Sequence, residues 1–178
     1  MNPSIYEVTQ IGAGRLFIMP CPDADHLKDE LIYFRTRGVR AVASLLEARE
    51  AEACGLQHEA ALCKQVGLSF THFPIRDRRV PTDEKAFQAL VNQLHTTLYE
   101  GENLAIHCYA GIGRTGVLTA CLMIKEGMTP QDAVELMSEV RGHNMPQTQE
   151  QYDFLMEYQP DAEAKAPRPA GFWRRLFA

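Results

Sequence analysis

His107-Cys108-Tyr109-Ala110-Gly111-Ile112-Gly113-Arg114-Thr115-Gly116 is the stretch on which the reading of this chain turns. A thiol follows the short apolar run 104–107 and precedes a longer apolar run that begins at Arg114, so it stands between a buried strand and a helix. Gly111 and Gly113 let the intervening backbone turn its amides inward, and successive inward N–H groups at a helix N-terminus make an anion nest. Arg114 adds a planar, permanently charged fork suited to phosphate oxygens. The same positive surroundings favour the thiolate of Cys108, a competent nucleophile. A nucleophile at the base of a phosphate cradle predicts phosphoryl transfer through a phosphocysteine. That chemistry needs neither metal nor other cofactor.

Working outward, the pattern alternates short apolar strands with helical stretches. Residues 5–11 and 15–19 flank Gly12-Ala13-Gly14 and predict a hairpin. Asp23 or Asp25 can cap a helix that runs to Arg37 and stops at Gly38. Strands are expected at 39–46, 69–75 and 104–107, and a helix over 47–66 that Gly55 weakens in its middle. Thr82 is expected to cap a helix over 83–100, and further helices are expected at 114–126, 129–140 and 147–158. Strands alternating with helices predict an α/β domain whose central, mostly parallel sheet is flanked by helices. Its ligand crevice should lie at the carboxyl ends of the strands. From residue 159 onward Pro160, Pro167 and Pro169 sit among Ala, Asp, Glu and Lys, so one domain over 1–158 and a flexible tail over 159–178 are expected.

Composition supports a single ordinary globular domain: 178 residues, 46% hydrophobic and 23% charged, long enough to bury a core without disulfides or metals. A net charge of -5 argues against a nucleic-acid partner. No apolar run approaches a membrane span, and the first twenty residues lack the pattern of a secretory signal. The tail's 172–177 end, rich in aromatic and basic residues, is too short for a stable membrane anchor. Five cysteines without repeated spacing fit reduced thiols and a cytoplasmic location. No His, Cys or carboxylate spacing suggests a metal.

His107-Cys108, five intervening residues, Arg114 and Thr115 resemble the signature loop of the cysteine-based protein tyrosine phosphatase superfamily. The span 39–158 resembles its compact dual-specificity branch, in particular the group of cyclin-dependent kinase-associated phosphatases and their bacterial relatives. Phe73-Pro74-Ile75-Arg76-Asp77, followed by Pro81, is similar to the branch's general-acid loop. Arg141-Gly142, Gln147-Thr148 and Gln151-Tyr152 are similar to its C-terminal glutamine segment.

The resemblance implies Cys108 as nucleophile, Arg114 as phosphate clamp, Thr115 as the hydroxyl that helps the thiolate leave, and Asp77 as acid and then base. It implies that Tyr109, Ala110, Gly111, Ile112 and Gly113 bind phosphate through their amides, that His107 orients the loop, and that Gln147 positions water. The expected partner is a phosphoprotein substrate, phosphorylated on tyrosine or serine/threonine, met by a monomer.

Rival readings remain at this level. Asp83 is the second candidate acid, although helix capping also accounts for it. Inositol phosphates or phosphoinositides are the alternative substrates, though relatives that take them tend to have lysines where this loop has Tyr109, Ala110 and Ile112. A phosphate-binding adaptor without turnover would be favoured if Cys108 or Arg114 were missing, and both are present. Cys21, Cys54, Cys63 and Cys121 read as inert, with Cys21 the candidate for a reversible disulfide with Cys108.

Overall fold

The hairpin expected at the start is present in the computed structural model, which describes residues 3–161: β1 (Tyr6–Ile11) pairs antiparallel with β2 (Gly14–Met19). Beyond it, β3 (Ala41–Ser44), β4 (Ser69–His72) and β5 (Leu104–His107) complete a mixed sheet of order β1-β2-β5-β3-β4. β5 runs parallel to both β2 and β3, and β3 parallel to β4. Central β5 is buried at all of its positions, which explains why Leu104, Ala105 and Ile106 follow one another without alternating polar residues.

Among the described residues seven α-helices flank the sheet: α1 (Leu27–Thr36), α2 (Ala48–Ala53), α3 (Glu59–Gln65), α4 (Glu84–Tyr99), α5 (Gly113–Lys125), α6 (Pro130–Arg141) and α7 (Gln149–Glu157). Successive residues of a strand point to opposite faces. Phe17 and Met19 of β2 therefore join Leu31, Phe34 and Cys63 in a core under α1 and α3. Leu16 and Ile18 join Leu94, Val117, Leu118 and Leu155 in a larger core under α4, α5 and α7. Each buried leucine contributes about 2 kcal/mol. Helix α5 is buried along its whole length, so its N-terminus is held firmly against the end of β5.

The helix expected over 47–66 is two helices. Gly55, at φ +70°, breaks it, and a Cβ there would lie 2.8 Å from the Ala24 methyl, so the bend lets the chain pass beside the loop that follows β2. The cap of α4 is Asp83 rather than Thr82: its carboxylate accepts from the Ala86 N–H at 2.9 Å. That bond accounts for Asp83 as a structural residue. Strands β3 and β4 are shorter than the runs 39–46 and 69–75. The expected tail falls mostly on residues 162–178, outside the described residues, as does its 172–177 end. Among the described residues no helix is long and apolar enough to cross a membrane.

Candidate active site

Residues 108–112 leave the end of β5 and enter α5 at Gly113. The turn depends on Gly111, which adopts φ +68°. A Cβ there would lie 2.3 Å from the Met19 carbonyl oxygen, so no side chain fits between this loop and the end of β2. Two of the loop's carbonyls point away from it and are taken, Tyr109 O by Cys21 N–H at 3.0 Å and Ala110 O by Arg141 Nη2 at 3.2 Å, while Ile112 O accepts the first helical bond of α5 from Gly116 N–H at 3.0 Å. Outward carbonyls leave the N–H groups to face inward, toward the helix N-terminus. Cys108 is buried at the foot of this loop, whereas the Tyr109 ring is 61% exposed at its rim.

Arg114 is among the most buried side chains of the protein, at 1% exposure. Its terminal nitrogens are fully occupied. Nη1 donates to Glu50 Oε2 at 2.6 Å and to the Ile75 carbonyl at 3.0 Å, and Nη2 donates to Glu50 Oε1 at 2.9 Å. Nη2 also lies 3.0 Å from Asp77 Oδ1. Nε has no hydrogen-bond partner although it is buried. A buried donor on a permanent cation costs stability unless a ligand takes it up. Burial opposes the charge of Arg114, but Glu50, with Cys108 and Asp77, raises its affinity for the proton above the ordinary value. Glu50 shows the reciprocal effect. Burial pushes its carboxyl up, and the bonds from Arg114 and the Glu47 N–H outweigh this and hold it below the usual glutamate range.

Asp77 reaches this guanidinium from the loop between β4 and α4, with its side chain 56% exposed. The loop is fastened to the start of α7. Gln151, fully buried, donates through Nε2 to the Arg79 carbonyl at 3.1 Å and accepts from the N–H groups of Gln147 and Thr148 at 3.2 Å each. Thr148 Oγ1 donates to the Arg78 carbonyl at 3.4 Å, and Arg79 pairs with Glu150 at 3.0 Å. Gln147 Oε1 lies 3.1 Å from where a Cβ on Gly113 would stand, so its amide borders the cradle. Cys108, Arg114, Asp77 and Gln147 therefore converge on one place.

Thr115 is buried next to Arg114, and its hydroxyl has no partner. His107 is fully buried, with Nδ1 3.2 Å from the Cys108 carbonyl oxygen and Nε2 3.0 Å from Glu59 Oε1. Composition alone flagged neither Glu50 nor Glu59, because a glutamate in a helical stretch reads as a solvated face. A cavity of about 390 Å³ adjoins the rim of the loop, lined in part by Cys21, Asp23, Glu30, Cys54 and Tyr109. It lies beside the cradle and not in it. Burial, followed by Cys54, pushes the Cys21 thiol up to about 12. Among the described residues, no group of three or more His, Cys, Asp or Glu side chains is placed to hold a metal.

The arrangement is a thiol at the foot of a loop of backbone amides, a guanidinium with a free Nε, a carboxylate at the rim and a spare hydroxyl beside the guanidinium. It can bind a tetrahedral dianion, attack it, and supply and withdraw a proton.

Residues 19–128 match the family described as polymorphic toxin system, DSP-PTPase phosphatase. Cyclin-dependent kinase inhibitor 3 of Rattus norvegicus is 33% identical over 99 residues, which cover 54% of this chain and 46% of that protein. The chain spans between 46% and 61% of the length of the first curated relatives it matches. Kinase-associated phosphatase, solved with serine in place of its catalytic-site cysteine, superposes with a TM-score of 0.81 at 22% identity, covering 88% of this chain and 94% of that one. At that identity the likeness concerns the fold. The active form of Tk-PTP superposes with a TM-score of 0.67 at 26% identity, over 88% and 97% of the two chains.

Proposed function

Because this chain belongs to the dual-specificity branch of the cysteine-based protein tyrosine phosphatases, we propose that it hydrolyses phosphomonoesters of phosphoproteins, on tyrosine and on serine/threonine, through a phosphocysteine. The phosphate dianion settles on the inward amides of residues 109–113 and on Arg114 Nε. It competes with Asp77 for the guanidinium, which frees the carboxyl group to face the leaving oxygen. Cys108 Sγ attacks phosphorus in line, and Asp77 gives its proton to the leaving oxygen. In the second step Asp77 takes a proton from water that Gln147 positions. The water oxygen bonds to phosphorus, the S–P bond breaks, and the Thr115 hydroxyl donates to the departing thiolate. Amides and guanidinium carry the charge on the equatorial oxygens throughout.

The observation that carries this reading is Arg114 Nε, a buried and unpartnered cationic donor beside a thiol-bearing loop whose carbonyls at 109 and 110 are taken by Cys21 and Arg141 and at 112 by the first helical bond of α5. The loop offers Tyr109, Ala110 and Ile112 and no lysine, which favours phosphoproteins over inositol phosphates. All five cysteines are free thiols, consistent with a reducing, cytoplasmic setting.

The test is phosphate release from phosphotyrosyl and phosphoseryl peptides, phosphoinositides and soluble inositol phosphates, with a chelator present, for the wild type and Cys108→Ser. The wild type is expected to release phosphate from the peptides. The variant, whose hydroxyl is a poor nucleophile at neutral pH, is expected to bind vanadate without turning over. Near wild-type turnover by Cys108→Ser would overturn covalent cysteine catalysis, and turnover confined to inositol phosphates would reassign the substrate.

A further inference from the structure

Two arginines on either side of Asp77 serve nothing inside the protein. The Arg79 N–H donates to the Arg76 carbonyl at 3.1 Å, so residues 76–79 form a tight turn with Asp77 and Arg78 at its tip. Arg78 stands at φ +60°, the one non-glycine residue at positive φ among those described. Glycine or asparagine takes that turn position with less crowding than a long side chain brings. The backbone is nevertheless held there. The Arg78 carbonyl accepts from Thr148 Oγ1 at 3.4 Å, and the Arg79 carbonyl from Gln151 Nε2 at 3.1 Å. Those bonds use carbonyls alone and would serve a glycine equally, so they do not account for an arginine.

The charges around the turn divide in the same way. Arg79 pairs with Glu150 at 3.0 Å, and Asp77 lies 3.0 Å from Arg114 Nη2. Arg76 and Arg78 are exposed, and among the described residues neither guanidinium has an ion pair or a hydrogen bond. On a chain of net charge -5, two uncompensated cations next to the acid are a local positive spot. The other rim of the cradle has the opposite sign. Beyond the exposed Tyr109 ring lies the cavity of about 390 Å³, which Asp23, Asp25 and Glu30 help to line. That cavity follows β2 and the Asp77 turn follows β4, on opposite sides of central β5.

We propose that Arg76 and Arg78 form a subsite for acidic side chains beside the phosphorylated residue of a peptide substrate, on the flank that passes the Asp77 turn and not on the other. The inference rests on the phosphatase reading, in which Asp77 meets the leaving oxygen. That oxygen belongs to the phosphorylated side chain, so the peptide on one side of it runs past the two guanidinium groups. A guanidinium matches a carboxylate in shape and charge. Acidic residues on the opposite flank meet Asp23, Asp25 and Glu30 instead and gain nothing. Both arginines stay in water, so each contact is weak and screened by salt. Contacts made equally before and during the reaction act on KM and leave kcat alone.

The experiment follows steady-state hydrolysis by the full chain of p-nitrophenyl phosphate and of three phosphotyrosyl peptides. One peptide has neutral flanks, one has aspartates before the phosphotyrosine, and one has them after it. The wild type is compared with Arg76→Gln/Arg78→Asn, in which asparagine suits the left-handed backbone. At about 0.02 M salt one acidic peptide, and not the other, is expected to show a KM roughly three- to tenfold below that of the neutral peptide, the range of two exposed ion pairs. Its kcat should be unchanged, and the advantage should fade beyond about 0.15 M salt, where the Debye length is about 8 Å. In the double variant the advantage should vanish, while the aryl phosphate and the neutral peptide react as with the wild type. Equal gains from both acidic flanks, or a gain that survives the substitutions, overturns the proposal. A variant impaired only on phosphoinositide vesicles also overturns it, since the arginines would then serve a lipid headgroup. If the double variant fails to fold, the flank and salt series on the wild type decides, and flanks without effect overturn the proposal. If the wild type releases no phosphate even from the aryl ester, the phosphatase reading fails. The subsite is then judged from fluorescence anisotropy of the same peptides, labelled, where the absence of a one-sided preference overturns it.

Discussion

Glu50→Gln isolates the grip on Arg114 from everything else in the cradle. The carboxylate accepts two charge-assisted bonds from the guanidinium, at 2.6 and 2.9 Å, and its orientation is fixed by the Glu47 N–H at 2.9 Å. Glutamine keeps one acceptor and turns an NH₂ toward the other guanidinium nitrogen, so one charge-assisted bond is lost and replaced by two opposed donors. Such a bond contributes about 1.5–3 kcal/mol. The Glu50 side chain keeps 25% of its exposure to water, which selects the lower part of that range, about 1.5–2 kcal/mol. Arg114 retains the Ile75 carbonyl and Asp77, so the side chain stays in place but swings more freely. If the whole loss falls on the transition state, kcat/KM drops roughly ten- to thirtyfold. The assay is steady-state hydrolysis of a phosphotyrosyl peptide near pH 6.5, with thermal unfolding of the same samples.

A pH dependence follows from the same bond. The folded carboxyl of Glu50 sits below its ordinary value, so its contribution to stability is full above that value and disappears as pH falls through the lowered one. Wild type and Glu50→Gln should therefore differ most in stability at neutral pH and converge in acid. A kcat/KM within about threefold of the wild type, with no convergence, would refute the argument that Glu50 orients the phosphate-binding arginine.

Three further outcomes are expected. Asp77→Asn should lower kcat/KM on phosphopeptides by about 10² to 10⁴ in steady-state assays, and by less on aryl phosphates whose leaving groups need no proton. Asp83→Asn should be near neutral, because asparagine also caps a helix. The reverse pattern would move the acid to Asp83. Gly111→Ala should abolish turnover and lower stability by roughly 1–3 kcal/mol in thermal denaturation, because the residue sits at φ +68° with a backbone oxygen 2.3 Å from the added methyl. An active, equally stable Ala variant would mean that the loop can open away from β2.

The features legible along the chain are those set by near neighbours. The apolar run of β5, the glycines after Cys108 and the apolar run of α5 specify strand, turn and helix within about a dozen residues, because backbone geometry and apolar periodicity are local properties. Hence the order of the amino acids alone is enough to read the cradle, the hairpin and the layered α/β class. The break at Gly55 is visible there as a weakness, and only its packing against Ala24 makes it a full stop between two helices.

Glu50 and Glu59 are silent in the sequence: each lies in a helical stretch and by composition reads as one more solvated side chain. Gln151 stands out there only as part of the glutamine segment, and its burial against the Asp77 loop does not. Glu50 meets Arg114 across 64 residues, and Gln151 meets Arg79 across 72. Whether a carboxylate ends in water or against a buried cation depends on which elements stack beside it. In this fold α2 brings Glu50 against Arg114, α3 brings Glu59 to the end of β5, and α7 closes over the Asp77 loop. Desolvation turns a charge that would contribute little at the surface into one that must be paired, and that condition exists only once the layers have come together.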